Sequence, residues 1–203
     1  TPNCTNGKYQ KMDNTEWTNG FWTGLIWLTY EYTGDEKYKR YALKNVDSFK
    51  RRIDEKISVD HHDLGFLYIP SCLSAYKITG CLEGYDASLK AAEQLSTRFQ
   101  QNGGFIQAWG EMGADDNYRL IIDALLNIPL LYWAGNQENN SKYLEMANSH
   151  YKKALSTVIR DDGSTYHTYY FDQKSGKPLY GATRQGYADD SSWARGQAWA
   201  IYG

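Results

Sequence analysis

The chain has 203 residues, enough for one domain or a large piece of one, with a net charge of −2 and a pI of about 6.1. It carries no basic stripe or Lys/Arg block, which argues against a nucleic-acid partner, and no apolar run approaches the ~20 residues a membrane span needs. Cys4, Cys72 and Cys81 are odd in number and form no CxxC pair, so neither a disulfide framework nor a structural zinc site is expected.

In chain order, helices are predicted over residues 21–33, 36–53, 63–79, 85–99, 117–134, 141–160 and from 191 onward. A weak internal repeat runs through them. Residues 28–44 (LTYEYTGDEKYKRYALK), 74–90 (SAYKITGCLEGYDASLK) and 130–147 (LLYWAGNQENNSKYLEMA) each show an apolar helix end, a Gly, a polar turn, a Tyr and a second helix. The turn glycines, Gly34, Gly80 and Gly135, lie 46 and 55 residues apart and each reads as a residue that stops a helix. Such periods suggest stacked helical hairpins. The 85–99 segment is amphipathic, with Tyr85, Leu89, Ala92 and Leu95 on one face and Lys90 and Gln94 on the other. The 117–134 segment is apolar almost all round, as a buried inner helix is. This alternation fits two concentric helical layers. Residues 165–171 (TYHTYYF) are rich in β-formers; with a Gly-containing turn at 172–177 and residues 178–180 after it, a short hairpin is expected.

Three features bear on chemistry. The end of the chain crowds Arg184, Gln185, Tyr187, Asp189, Asp190, Trp193, Arg195, Gln197 and Trp199 together. A helix from residue 191 places Trp193, Gln197 and Ala200 on one stripe, with Arg195 and Trp199 on the next. Indoles stack on a pyranose, amides meet hydroxyls and a guanidinium grips a carboxylate, so this face suits an acidic sugar. A core helix with buried Trp and an Arg–Asp pair is the plainer reading. An aromatic content of 15%, with 18 Tyr and 7 Trp, suits a carbohydrate cleft and a helical core equally. Asp63 in HHDLGFLY opens an apolar helix, where it reads as an N-cap or as a functional carboxylate. Asp123 in LIIDALLNIPLLYW has apolar neighbours on both sides. It is either a paired core acid or a desolvated carboxyl with a raised pKa, as a general acid near neutral pH requires. Two inward carboxylates from successive inner helices, within about 10 Å of each other and with aromatics nearby, suggest glycoside chemistry. His61 and His62 invite a metal reading, but no third ligand stands at useful spacing.

These segments carry a resemblance. WTNGFWTG (17–24), HHDLGFLY (61–68), LIIDALLNIPLLYW (120–133), DGSTYHTYYFD (162–172) and RQGYADDSSWARGQAWAIYG (184–203) are similar to the unsaturated glucuronyl hydrolases, glycoside hydrolase family 88. The resemblance implies an all-α fold, an (α/α)6 barrel of six hairpins. About three hairpins and the start of a fourth are present here, so residues 1–203 are expected to form a single partial catalytic barrel domain, truncated at its C-terminal end. The implied substrate is a lyase-generated oligosaccharide of the glycosaminoglycan type with a 4,5-unsaturated uronic acid at its non-reducing end. The implied reaction is hydration of the double bond, with a proton to C4 and water to C5, after which the hemiketal opens. By motif, Asp123 is the general acid and base and Asp63 the second essential carboxylate. His167, Gln185, Trp193, Arg195 and Trp199 match pocket residues that hold the uronate, and Trp17, Asn19, His62 and Trp109 match further pocket positions. Arg184, beside Gln185, reads as a ligand for a sulfate on the adjoining sugar or as an ordinary surface Arg. No metal and no cofactor are implied. The expected partner is the unsaturated uronyl oligosaccharide, with no nucleic acid and no membrane; the oligomeric state is open. The cytoplasm is the expected compartment, with the periplasm as alternative. An unsaturated rhamnogalacturonyl hydrolase is the rival enzyme reading. A non-catalytic helical-hairpin scaffold or carbohydrate-binding protein is the rival outside catalysis, and Asp123 speaks against it.

Overall fold

The computed structural model describes residues 4–203. Two compact units form, one of the residues up to Val59 with Phe66–Ala91, the other of Asp60–Gly65 with Ala92–Gly203.

In the first unit a short antiparallel pair, β1 (Cys4–Thr5) and β2 (Lys8–Tyr9), precedes α1 (Asn19–Thr33) and α2 (Glu36–Asp54). Gly34 ends α1 at φ 66°, as expected of a helix-stopping glycine, and its N–H donates to the Tyr30 carbonyl at 2.8 Å. Asp35 then caps α2, its carboxylate accepting the Lys37 N–H at 2.9 Å. One stripe of α2, Ala42, Val46, Phe49 and Ile53, is buried, and the polar remainder faces water. α1 behaves differently. Its Trp22, Leu25, Leu28 and Tyr32 are 66, 58, 63 and 92% exposed. With Tyr38 and Tyr41 of α2, Trp22, Leu25, Ile26 and Thr29 line a shallow apolar groove.

The helix predicted over 63–79 is three consecutive pieces: α3 (Leu64–Tyr68), a π-turn (Ile69–Leu73) and α4 (Ser74–Thr79). Pro70 is the reason, because it has no N–H to donate and its ring crowds the preceding turn, and a wider turn relieves both. Gly80 stops α4 at φ 75°. α5 (Leu82–Ser96) starts and ends earlier than the predicted 85–99, because Phe99 is drawn into a strand.

In the second unit β3 (Phe99–Gln100) pairs with β4 (Phe105–Ile106). The single helix predicted over 117–134 does not form. The chain runs instead as β5 (Arg119–Ile121), a 3₁₀ turn (Ile122–Leu126) and α6 (Pro129–Gln137). Pro129 sits at the first turn of α6, the one place where its missing N–H costs nothing, and it bars a helix from running through. The β-prone residues before it find partners in a sheet. An uninterrupted apolar run carries no period that separates the two outcomes.

α6 continues past Gly135 to Gln137, so this glycine is not a helix stop. It is buried, and a Cβ there would lie 2.7 Å from Cδ2 of Leu144. That residue belongs to α7 (Ser141–Thr157), which is capped by the Asn140 side chain. The hairpin expected in 165–180 is present as β6 (Thr168–Phe171) and β7 (Pro178–Ala182), and β5 adds to it as a third strand against β6. Phe105, stacked on Phe171 at 4.5 Å, anchors the sheet to the β3–β4 pair. α8 (Ala194–Tyr202) begins three residues later than the predicted 191. Three helical hairpins (α1/α2, α4/α5, α6/α7) and the start of a fourth match the repeat read from the glycines. No helix of the described residues is long and apolar enough to cross a membrane.

Candidate active site

A buried arginine builds the platform. Arg98, fully buried at the end of α5, donates from Nη1 to Asp60 Oδ1 (2.8 Å), from Nε to the Gln107 carbonyl (3.1 Å) and from Nη2 to the Gly110 carbonyl (3.0 Å). It thus ties the start of the His61-His62-Asp63 run to the segment that follows β4. The backbone N–H of His62 adds a bond to the Ala108 carbonyl at 3.0 Å. The Gln107 side chain, also buried, donates to the carbonyls of Trp109 (3.0 Å) and Glu111 (2.8 Å) and so fixes the loop that carries Trp109. The Trp109 ring lies flat on His61 at 4.8 Å and 17°, while His61 Nδ1 accepts the Asp63 N–H at 3.1 Å.

Asp123 arrives from the other side. β5 leads into the 3₁₀ turn, with the Ile122 N–H on the His167 carbonyl at 3.0 Å and the Asn127 side chain on the Asp123 carbonyl at 3.1 Å. Gly65 touches the backbone of Asn127 so closely that a Cβ would lie 2.7 Å from its carbonyl oxygen. Small size at Gly65 therefore brings the two acid-bearing turns together. His62 Nε2 ends 3.3 Å from Asp63 Oδ1 and 3.5 Å from Asp123 Oδ1. The carboxyls meet, as the motif reading expected, but Asp123 sits on a 3₁₀ turn and not on an inner helix.

Burial dominates the electrostatics. Asp123, with a side chain 16% exposed, has its pKa raised well above 3.8, first by desolvation and then by the Asp63 charge, against a smaller pull from Arg195. Desolvation lowers His62 from 6.5 to about 4 despite the neighbouring Asp63. The cluster sets a carboxyl whose burial favours its protonated form beside an imidazole whose burial favours its neutral form.

The last residues form a second group facing this one. Trp193 precedes α8 in extended backbone, so it does not share a helical stripe with Gln197 and Ala200. That turn folds its ring against His167 at 4.4 Å and under Arg195, whose guanidinium carbon is 4.5 Å above the indole. Arg195 donates from Nη2 to the Gln185 amide oxygen. His167 Nδ1 accepts the Arg184 N–H at 2.9 Å, which leaves the imidazole proton on Nε2. Burial, then Arg119, Arg195 and Arg184, hold the His167 pKa down to about 4. The Arg184 guanidinium is exposed, and Trp199 is half-buried on α8, one turn after Arg195. Trp17 and Asn19 belong to the first unit. There Trp17 packs on Phe66 at 5.5 Å, and the Asn19 amide donates to Asn14 Oδ1 and the Asp13 carbonyl, both at 3.1 Å.

The sequence model of Glycosyl Hydrolase Family 88 matches residues 2–203. The chain belongs to this family. An unsaturated chondroitin disaccharide hydrolase of Streptococcus agalactiae is 57% identical over 203 residues, which are all of this chain and 51% of the relative. The crystal structure of an unsaturated glucuronyl hydrolase from S. agalactiae matches with a TM-score of 0.96 at 57% identity, covering 100% of this chain and 51% of that one. A mutant of an S. agalactiae unsaturated glucuronyl hydrolase, complexed with dGlcA-GalNAc6S, matches with a TM-score of 0.80 at 50% identity, covering 100% of this chain and 48% of that one. The chain spans about half the length of the relatives it matches. The neighbours share the six-hairpin α/α fold, and the hairpins of this family 88 chain are part of it.

His62, Asp63 and Asp123 offer atoms within 4.8 Å of one another, a set that a cation can use. The third group missing at short spacing is thus supplied from sixty residues away in sequence by the fold. Desolvation and the Asp63 charge, which raise the Asp123 pKa, favour proton sharing within the set. Two positioning residues of this site escaped the sequence, Arg98 and Gln107, and so did a third polar residue, His150; all three are fully buried. Only His150 had a usable signal. It falls on the α7 stripe with Ala147, Ala154 and Thr157, an apolar face where a titratable residue is out of place.

Proposed function

We propose that the whole protein to which this chain belongs removes the 4,5-unsaturated uronic acid from the non-reducing end of lyase-generated, glycosaminoglycan-type oligosaccharides. The observation that carries the reading is the desolvated Asp123 carboxyl, its pKa raised by burial and the Asp63 charge, set against His62 and Asp63. The names of the relatives, an unsaturated chondroitin disaccharide hydrolase and unsaturated glucuronyl hydrolases, support the substrate class.

In this mechanism the Asp123 carboxyl gives its proton to C4 of the double bond. The positive charge that develops at C5 and the ring oxygen faces the Asp63 carboxylate. Water adds its oxygen to C5 and returns a proton to Asp123, so the carboxyl is restored and the net change is addition of one water. The hemiketal then opens and releases the remaining sugar. Arg195, braced by Gln185 and by the Trp193 face, holds the uronate carboxylate. Trp109, Trp193 and Trp199 offer ring faces, His167 offers an Nε2–H, and Trp17, Asn19 and His62 match further family positions by motif. Arg184 takes a sulfate on the adjoining sugar.

The test is product analysis of the full-length protein on unsaturated chondroitin and unsaturated rhamnogalacturonan disaccharides, following loss of the conjugated double bond. Hydrolysis of the chondroitin disaccharide, with loss of turnover by ~10²-fold or more in Asp123→Asn at unchanged binding, supports the reading. Turnover of the rhamnogalacturonan substrate alone, or an active Asp123→Asn variant, refutes it.

A further inference from the structure

All four histidines of the chain lie in the second unit, and three of them are accounted for by the site described above. The fourth, His150, is fully buried on α7. Its Nδ1 accepts the backbone N–H of Ile106 at 2.9 Å. A neutral imidazole with Nδ1 as acceptor carries its proton on Nε2. That Nε2–H is sealed from solvent and has no acceptor among the described residues, and both ring nitrogens of His62 are likewise buried without a hydrogen-bond partner. Buried polar groups are rarely left so, and each exception calls for a reason.

The two histidines are anchored on one edge of the same strand. In the extended run from Ile106 to Ala108, the Gln107 N–H and C=O face Arg98 on one edge. The Ile106 N–H and the Ala108 C=O therefore face the opposite edge, about 7 Å apart along the strand. The first holds the His150 ring and the second holds the His62 backbone. The electrostatic influence of His62 on His150 agrees with this proximity.

We propose that His150 is a positioning residue whose Nε2–H, across one buried water, fixes His62 in the tautomer that carries its proton on Nε2. The carboxylate side alone does not decide this. His62 Nε2 faces Asp63 and Asp123 at 3.3 and 3.5 Å, and either a ring N–H donates to a carboxylate or the Asp123 hydroxyl donates to a bare ring nitrogen. The second arrangement puts a proton on His62 Nδ1, facing a donor on His150. The His150 donor, itself set by the Ile106 amide, breaks the tie. His62 then turns its Nε2–H towards the carboxylates, 3.3 and 3.5 Å away, and the Asp123 proton is not tied up on the imidazole. The consequence for turnover rests on Asp123 as proton donor; the tautomer does not.

The experiment is nitrogen NMR of the chain with ¹⁵N-labelled histidine side chains, without substrate. In the wild type the His62 resonances should report a neutral ring protonated on Nε2. His150→Asn keeps an acceptor for the Ile106 N–H and loses the donor towards His62, so the His62 tautomer ratio should shift about fivefold towards Nδ1–H, the weight of one net hydrogen bond. His150→Gln places an amide N–H near the lost Nε2 and should restore the wild-type ratio. In the full-length protein His150→Asn should lower kcat with KM unchanged. A His62 ring protonated on Nδ1 in the wild type overturns the proposal, whatever the variants do. So does a folded His150→Asn chain with an unmoved ratio. Failure of the hydrolase reading leaves both readouts intact, because neither spectrum involves substrate.

Discussion

Gly65→Ala is the sharpest perturbation of the acid cluster. Gly65 does not have positive φ, so an alanine there is free of backbone strain and the substitution tests close approach alone. The new methyl would lie 2.7 Å from the carbonyl oxygen of Asn127 and 2.9 Å from its carbonyl carbon. Backbone is on the receiving side, so the Asp63 and Asp123 turns must part by about 1 Å, at a cost of about 1–3 kcal/mol. In a chain of this size that lowers Tm by roughly 2–10 °C. Function should suffer more than stability. The distances from His62 Nε2 to the two carboxylates, 3.3 and 3.5 Å, cannot both survive such a shift. A misplacement of that size at a reacting group lowers turnover by about 10²-fold. Thermal melting and the double-bond absorbance assay on the full-length protein measure both. A Gly65→Ala enzyme with wild-type Tm and turnover refutes the claim that this contact sets the carboxyl geometry.

Further outcomes follow from the site. Stability should fall as pH drops through 5. His62, His150 and His167, at about 4, 3 and 4, stay neutral when folded and charge on unfolding, while Asp123 does the reverse. The net uptake of about two protons gives a slope of about 2.7 kcal/mol per pH unit, measurable by urea melts. A flat profile from pH 6.5 to 4.5 contradicts the burial of these groups. Turnover should decline as pH rises through the elevated Asp123 pKa, because the acid must be protonated to act; a rate that climbs steadily with pH excludes it as the donor. Arg98→Met removes donors to three backbone and side-chain oxygens and should cost about 1–3 kcal/mol, with loss of the His61–Trp109 stacking seen as altered indole fluorescence. Arg184→Ala should raise KM for a sulfated disaccharide over an unsulfated one by about 1–3 kcal/mol, and equal effects on both would leave Arg184 a loop residue.

How much of this was legible depended on where the information sits. Asp63, Asp123 and the Gln185–Arg195 region stand out in the sequence because their residue types are out of place in their neighbourhoods. The turn glycines Gly34 and Gly80 were read correctly because a helix-stopping φ is a local property. The errors are local too, and two prolines explain them. Pro70 and Pro129 stood in plain view inside predicted helices, yet the continuity of the apolar runs outweighed them. Gly135 misled for the opposite reason, since its smallness serves a contact with Leu144 and not a turn. Arg98 and Gln107 were invisible because nothing in their own segments calls for a buried polar group, and His150 showed only as a titratable residue on the apolar stripe of α7. Their partners, Asp60, the carbonyls of the loop around Trp109 and the Ile106 amide, come from other stretches of chain.

The bare outer stripe of α1 has a practical consequence for anyone handling this chain in solution. Trp22, Leu25, Leu28 and Tyr32 present a continuous oily ridge, and a net charge of only −2 offers little colloidal repulsion to keep two such ridges apart. Concentrating the 203-residue chain should therefore raise its light scattering and its retention on a phenyl matrix, and added sulfate should strengthen both. Placing Glu at Leu25 and Leu28 should restore monodispersity without touching the acid cluster, which is built wholly from the second unit.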